Sequence, residues 1–262
     1  MSSFSRPRAH PKPLALATLL GLAALIGCGG TAGVPAADAS ATPMAGDPTA
    51  APAPRASESA YRAFIDAVRE FSGDVIVELP GAEPVSLSER IVGGFEQDPV
   101  RRLELDDGTT VYWGWQHQQA FIRSAAVFGP DGQPRLVAAA DNLPRIMNLR
   151  SGRSIASEQE YEAYLAEQIE QGQAPSLVVV APDQATLDRH YPLLHRWVQA
   201  SALGLNTDCS DPAQAPSCAF AEQLEVPVQA FKADCDSGRV NDCPLQVPDA
   251  AATGVPLDAF RQ

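Results

Sequence analysis

The chain has 262 residues, 45 % of them hydrophobic and 19 % charged, with 32 acidic against 19 basic residues and a formal net charge of −13. That apolar content is enough for a packed core and excludes a chain too polar to fold. The acidic balance, with no Lys/Arg run and no basic patch interleaved with aromatics, excludes nucleic acid as a partner and favours basic ones.

Arg6, Arg8, His10 and Lys12 open the chain without an acidic residue among them, and Leu14 to Ile26 is almost wholly Leu, Ala, Ile and Gly. This apolar run has the length of a signal-peptide core and falls short of the ~20 residues a spanning helix needs. It closes on Leu25-Ile26-Gly27-Cys28. The tetrad resembles the lipobox of bacterial lipoproteins, a likeness that covers residues 1–28 only. It implies a signal peptide over 1–27 that is removed, and acylation of Cys28, palmitate included, as the first mature residue. Gly29-Gly30 puts no Asp beside that cysteine, where an Asp resembles an inner-membrane retention signal. The resemblance therefore implies the outer membrane, lipid-anchored and facing the periplasm. Two acyl chains anchor stably at ~0.8 kcal/mol per buried CH₂.

Loss of residues 1–27 removes three cations and no acid, which takes the net charge from −13 to −16. Residues 28–56 are Ala, Pro, Thr, Ser and Gly with scattered Asp and read as a disordered, semi-extended tether.

Residues 57–204 read as an α+β domain. Tyr61, Phe64, Ile65, Val68 and Phe71 lie on one face of a helix that Ser57 or Ser59 can cap and Gly73 can end. Asp74 to Leu79 is β-branched and stops at Pro80-Gly81, a strand. Residues 85–99 are ambiguous. From Arg101 to Ala140 the chain predicts an antiparallel meander packed against helices. Its strands are Arg102–Leu105, Thr109–Trp115, Phe121–Phe128 and Arg135–Ala139, with Asp106-Asp107-Gly108 and Gly129-Pro130-Asp131-Gly132 among the turns. Ser157-Glu158-Gln159-Glu160 is a capping box opening a helix to Gly172. Leu177 to Ala181 reads as a strand buried on both faces, and Asp183 caps a helix to Gly204 in which Pro192 is expected to cause a kink or a restart near Tyr191.

Residues 205–262 read as a loop-rich tail on the surface. With Cys28 acylated, Cys209, Cys218, Cys235 and Cys243 remain, an even number in an oxidising compartment. Sequence-local pairing predicts Cys209–Cys218 and Cys235–Cys243, because short loops close most easily. Zinc is disfavoured, since there is no C-x-x-C pair and no histidine nearby.

Alternation on a strand places Trp113, Trp115 and His117 on one face. They can line a binding face or pack under a helix, and burial is the expectation for the two tryptophans. Asp234, Asp236 and Asp242 partly resemble a calcium loop, but Gly238 stands one position early and no twelfth-position Glu follows. An acidic, solvated disulfide loop is the favoured reading, and no cofactor is expected. Gly152-Arg153-Ser154-Ile155-Ala156 misses the second glycine of a nucleophile elbow. His190 and His195 do not share a helix face.

The expectation for function is a non-enzymatic, acidic protein-binding module held to the outer membrane. An immunity or inhibitor protein against a basic toxin or cell-wall hydrolase is its most specific form. The alternatives are an accessory subunit of envelope assembly and a hydrolase acting on peptidoglycan or lipid.

Overall fold

The computed structural model describes residues 56–79, 83–96, 100–148, 151–204 and 207–260. The signal segment, Cys28 and the tether to residue 55 lie outside the described residues. In chain order the elements are α1 (Ala56–Ser72), β1 (Ile76–Val77), β2 (Val85–Ser86), α2 (Leu87–Gly93), β3 (Arg101–Glu104), β4 (Thr110–Gln116), β5 (Gln119–Phe128) and β6 (Pro134–Asp141). They continue with β7 (Met147–Asn148), β8 (Arg153–Ser154), α3 (Glu158–Glu170), β9 (Ser176–Ala181), α4 (Gln184–Leu203), α5 (Ala215–Ala221), β10 (Val228–Lys232) and β11 (Pro244–Leu245). Short 3₁₀ turns follow at Val240–Asp242 and Leu257–Phe260.

The architecture is α+β, built on one seven-stranded sheet in the order β11-β10-β9-β6-β5-β4-β3. Only β9 and β10 run parallel; the other neighbours are antiparallel. The meander from β3 to β6 forms at its expected turns. Gly108 and Gly132 adopt positive φ, and the Asp107 carboxylate accepts the Thr109 N–H at 2.8 Å. Such turns need a left-handed residue, which glycine supplies without a Cβ clash.

Both faces of the sheet are covered, and strand alternation sorts the side chains between two cores. On one face Val127, Leu136, Ala138, Leu177 and Val179 pack with Leu187, Leu194 and Trp197 of α4. On the other, Ala126, Phe128, Val137, Val178 and Val180 pack with Ile65, Val68, Leu87 and Ile91 of α1 and α2. This explains the unbroken apolar runs Ala125–Phe128 in β5, Leu136–Ala140 in β6 and Leu177–Ala181 in β9. A strand buried on both faces has no solvent side to alternate with. α2 comes so close to β5 that a Cβ on Gly94 would collide with the Ser124 side chain.

Several expectations are corrected here. The loop-rich, disulfide-bearing C-terminal region does not lie wholly on the surface. β10 is an inner strand with Ala230 and Phe231 buried, and its parallel partner is β9. The run 74–79 contributes only the two residues of β1, which pair with β2 outside the main sheet. No restart occurs near Tyr191: α4 runs through Pro192 as one helix of 20 residues, and the Asp183 carboxylate caps it by accepting the Thr186 N–H at 2.7 Å. The ambiguous stretch 85–99 contains β2 and the short helix α2.

The two disulfides are Cys209–Cys218 and Cys235–Cys243, with Cα separations of 5.7 and 5.9 Å. The first ties the approach to α5 onto that helix. The second fastens the loop between β10 and β11. Among the described residues no helix is long and apolar enough to cross a membrane.

Candidate binding surfaces

The two tryptophans of β4 occupy the sheet face that α4 covers, while Tyr112 points to the opposite core and meets the Phe64 and Phe128 rings. Trp113 is 5 % exposed and stands edge-on to Phe260 at 5.3 Å between ring centroids. Trp115 is half-buried, with the Arg101 guanidinium 4.0 Å above its ring centroid. His117 does not join them. The register shifts after Trp115, β4 ends at Gln116, and Gln118 takes a positive φ in the turn. His117 is exposed there, its backbone N–H held by the Glu96 carboxylate.

Beside these rings lies a narrow cleft of about 30 Å³, lined by Trp113, Trp115, Arg123, Arg145, Trp197 and Phe260 among others. β4 and β5 form its floor, and α4 with the Leu257–Phe260 turn closes over it. Arg123 is the cross-strand partner of Trp115 and only 7 % exposed. Its Nε donates to the Ala120 carbonyl at 2.9 Å and its Nη1 to the Ser201 carbonyl at 2.7 Å. Among the described residues no carboxylate forms an ion pair with it. Burial, and then the field of Arg145, lower its pKa to about 10, so it is still a cation at neutral pH. The sequence reading missed this residue. Its signal was a single charge inside the apolar run Phe121 to Phe128, at the inward phase of the alternation.

A second surface is α3. Only Tyr161 of this helix is buried, and Glu158, Glu160, Glu162, Glu167 and Glu170 are all exposed. Ile169, 57 % exposed, is one of two large exposed hydrophobic side chains among the described residues. The expected capping box is present. Ser157 Oγ accepts the Glu160 N–H, and the Glu160 carboxylate reaches back to the Ala156 N–H at 2.9 Å. Those bonds hold the Glu160 carboxyl below the usual carboxylate range.

The remaining sequence candidates stay apart. Asp234, Asp236 and Asp242 are exposed in the Cys235–Cys243 loop, and among the described residues no group of three His, Cys, Asp or Glu is placed to hold a metal ion. Ser154 is exposed on β8, its Oγ 2.8 Å from Ser217 Oγ, in a short hairpin rather than a strand-to-helix turn. His190 is half-buried. His195 is buried, with its Nε2 3.4 Å from Glu225 Oε2.

Comparison with family models, with curated proteins and with solved structures finds no match.

Proposed function

We propose that this chain is an outer-membrane lipoprotein facing the periplasm. Its folded part would be a non-enzymatic binding module for a basic protein, most specifically an immunity or inhibitor protein against a basic toxin or cell-wall hydrolase. The observation that carries this reading is the outer face of α3. Glu158 and Glu162 are four residues apart on one side of the helix, and Ile169 continues along that side with Glu170 beside it. Like charges at that spacing destabilise a helix by ~0.2–0.5 kcal/mol per pair. A cationic partner would relieve the repulsion, and an exposed aliphatic residue rimmed by charge is the arrangement of an interface anchor. The mature net charge of −16 adds long-range attraction for a basic protein. The lipobox and the tether support an address at the membrane with reach into the periplasm.

The test compares the full-length lipoprotein in detergent with a variant carrying Gln at Glu158, Glu162, Glu167 and Glu170, each immobilised in an envelope extract at ~0.15 M salt. A protein of basic isoelectric point held by the native chain and released by the variant is the expected result. An identical bound set for both chains would refute the α3 reading.

A further inference from the structure

The Trp/Arg cleft has an electrostatic character opposite to that of the rest of the molecule. In a chain with 32 acidic residues, Arg101, Arg123 and Arg145 gather around the Trp113–Trp115 strand. Arg123 is the most telling of them, because another buried arginine provides an internal contrast. Arg90, on the opposite sheet face, makes two bonds to the Asp141 carboxylate, Nε to Oδ2 at 3.3 Å and Nη2 to Oδ1. Its charge is neutralised inside the protein. Among the described residues Arg123 is held by two main-chain carbonyls and no carboxylate, which orients the guanidinium without cancelling its charge. A buried cation without a counter-ion is costly, and an anion brought into the cleft would offset that cost.

One buried group at the cleft has no hydrogen-bond partner among the described residues and is of the same kind: the Nε1–H of Trp197, which is 1 % exposed. An indole can only donate, so what this wall lacks is an acceptor. The charges at the cleft are Arg123, Arg145 and, of opposite sign, Asp258. They leave one net positive charge to be matched. The remaining lining is mostly aromatic and aliphatic, including Trp113, Leu203, Leu257 and Phe260, with Ser201 and Thr207 as polar members.

We propose that this cleft binds a small monoanion with a flat or aliphatic body, a monocarboxylate by chemical class. Its carboxylate lies against Arg123 and Arg145, and its body lies along the Trp113 and Trp115 rings. Arg123 supplies the fixed, pre-oriented charge. Arg145, exposed at the mouth, supplies attraction and a second donor set. A dianion is disfavoured by Asp258, and an amine would meet two like charges. No lining residue of the cleft belongs to α3, so loss of binding at one surface leaves the other intact.

The experiment is isothermal titration of the full-length lipoprotein, in nanodiscs of zwitterionic lipid, with a panel of aryl and short alkyl monocarboxylates. Each is matched to its neutral amide and its amine, and empty nanodiscs serve as the blank. We expect at least one carboxylate to bind ~10-fold or more tightly than its amide, with no heat from the amine, the discrimination typical of a charge-assisted contact. Arg123→Gln should abolish the binding. Because that residue is buried, Arg145→Ala, an exposed change that should leave the fold intact, is the second variant, and it should weaken the carboxylate several-fold while leaving any amide binding unchanged. Equal affinity for acid and amide, or Arg145→Ala without effect, would overturn the assignment of an anion. No binding by any carboxylate in the panel would overturn the cleft as a ligand site.

Discussion

Trp115 and Arg123 face each other across β4 and β5 as direct cross-strand partners, an indole capped by one guanidinium and neighboured by another. The pair joins the sheet's structural role to the cleft. Trp115 keeps one edge toward the opening, while its neighbour two residues back is buried against the Leu257–Phe260 turn. The two tryptophans therefore have different consequences when removed.

Trp113→Ala should destabilise the domain by ~3–5 kcal/mol, the range for deleting a buried aromatic ring. Trp115→Ala should cost clearly less, since a half-exposed ring leaves less of a cavity and gives up a cation–π contact worth ~0.5–2 kcal/mol. Denaturant unfolding of the two variants, followed by circular dichroism, checks the order. Equal losses would mean that Trp115 is as deeply packed as Trp113.

Asp141→Asn should cost ~3–5 kcal/mol, because it removes the one carboxylate paired with buried Arg90. Arg90 would keep its bonds to the carbonyls of Ala140 and Arg123, at 3.1 and 3.3 Å, but not a counter-charge. Replacing Arg90 by Met together with Asp141→Asn should recover part of the loss. A double variant no more stable than the single one would argue against an unpaired charge as the cause.

Reducing the disulfides should lower the stability of the whole sheet. Each bridge closes a short loop, with separations of 9 and 8 residues, for which chain entropy gives ~2–3 kcal/mol. The Cys235–Cys243 loop joins β10 to β11, and the Lys232 N–H donates to the Cys243 carbonyl at 2.9 Å. Unfolding midpoints for a Cys235→Ser/Cys243→Ser chain, read by both tryptophan fluorescence and circular dichroism, should shift together. A loss confined to the C-terminal residues in hydrogen exchange would show that the region behaves as an appendage after all.

Stability should fall as the pH drops below about 6.5. Burial lowers the pKa of His195 beneath its ordinary 6.5, outweighing the opposing pull of Glu225. His190 moves the same way, by burial and then by the fields of Arg189 and Arg135. A histidine whose folded pKa is depressed takes up its proton more readily in the unfolded chain. Its contribution is therefore whole above the unfolded pKa and is lost as the pH falls below it. Unfolding midpoints between about pH 7.5 and about pH 5 should decline, and His195→Gln should flatten the slope. A slope unchanged in that variant would place the titration elsewhere.

Much of the fold was legible because it is local. Asp107-Gly108 and Asp131-Gly132 demand tight turns, the Tyr61–Phe71 periodicity demands a helix, and cysteines eight and nine residues apart close on each other first. β10 was illegible because Val228 to Lys232 carries no strong pattern of its own. Its burial comes from lying between β9 and β11. The opposite error occurred at residues 74–79, where a strongly β-branched run forms only a two-residue strand, since β-propensity measures fit to neighbours and this run lies outside the main sheet.

The acidic balance, the lipobox-like tetrad, helices α1, α3 and α4, strands β3 to β6 and β9, and the favoured pairing of the four C-terminal cysteines were readable in the chain alone, because these elements depend on residues close together in sequence. Only the tertiary structure decided the rest. It set which face each tryptophan takes, turned His117 away through a register shift, and neutralised Arg90 while leaving Arg123 without a counter-ion. Those outcomes depend on what lies across a strand or beneath a helix. Whether a buried charge is paired is set by neighbours distant in sequence, which no local pattern encodes.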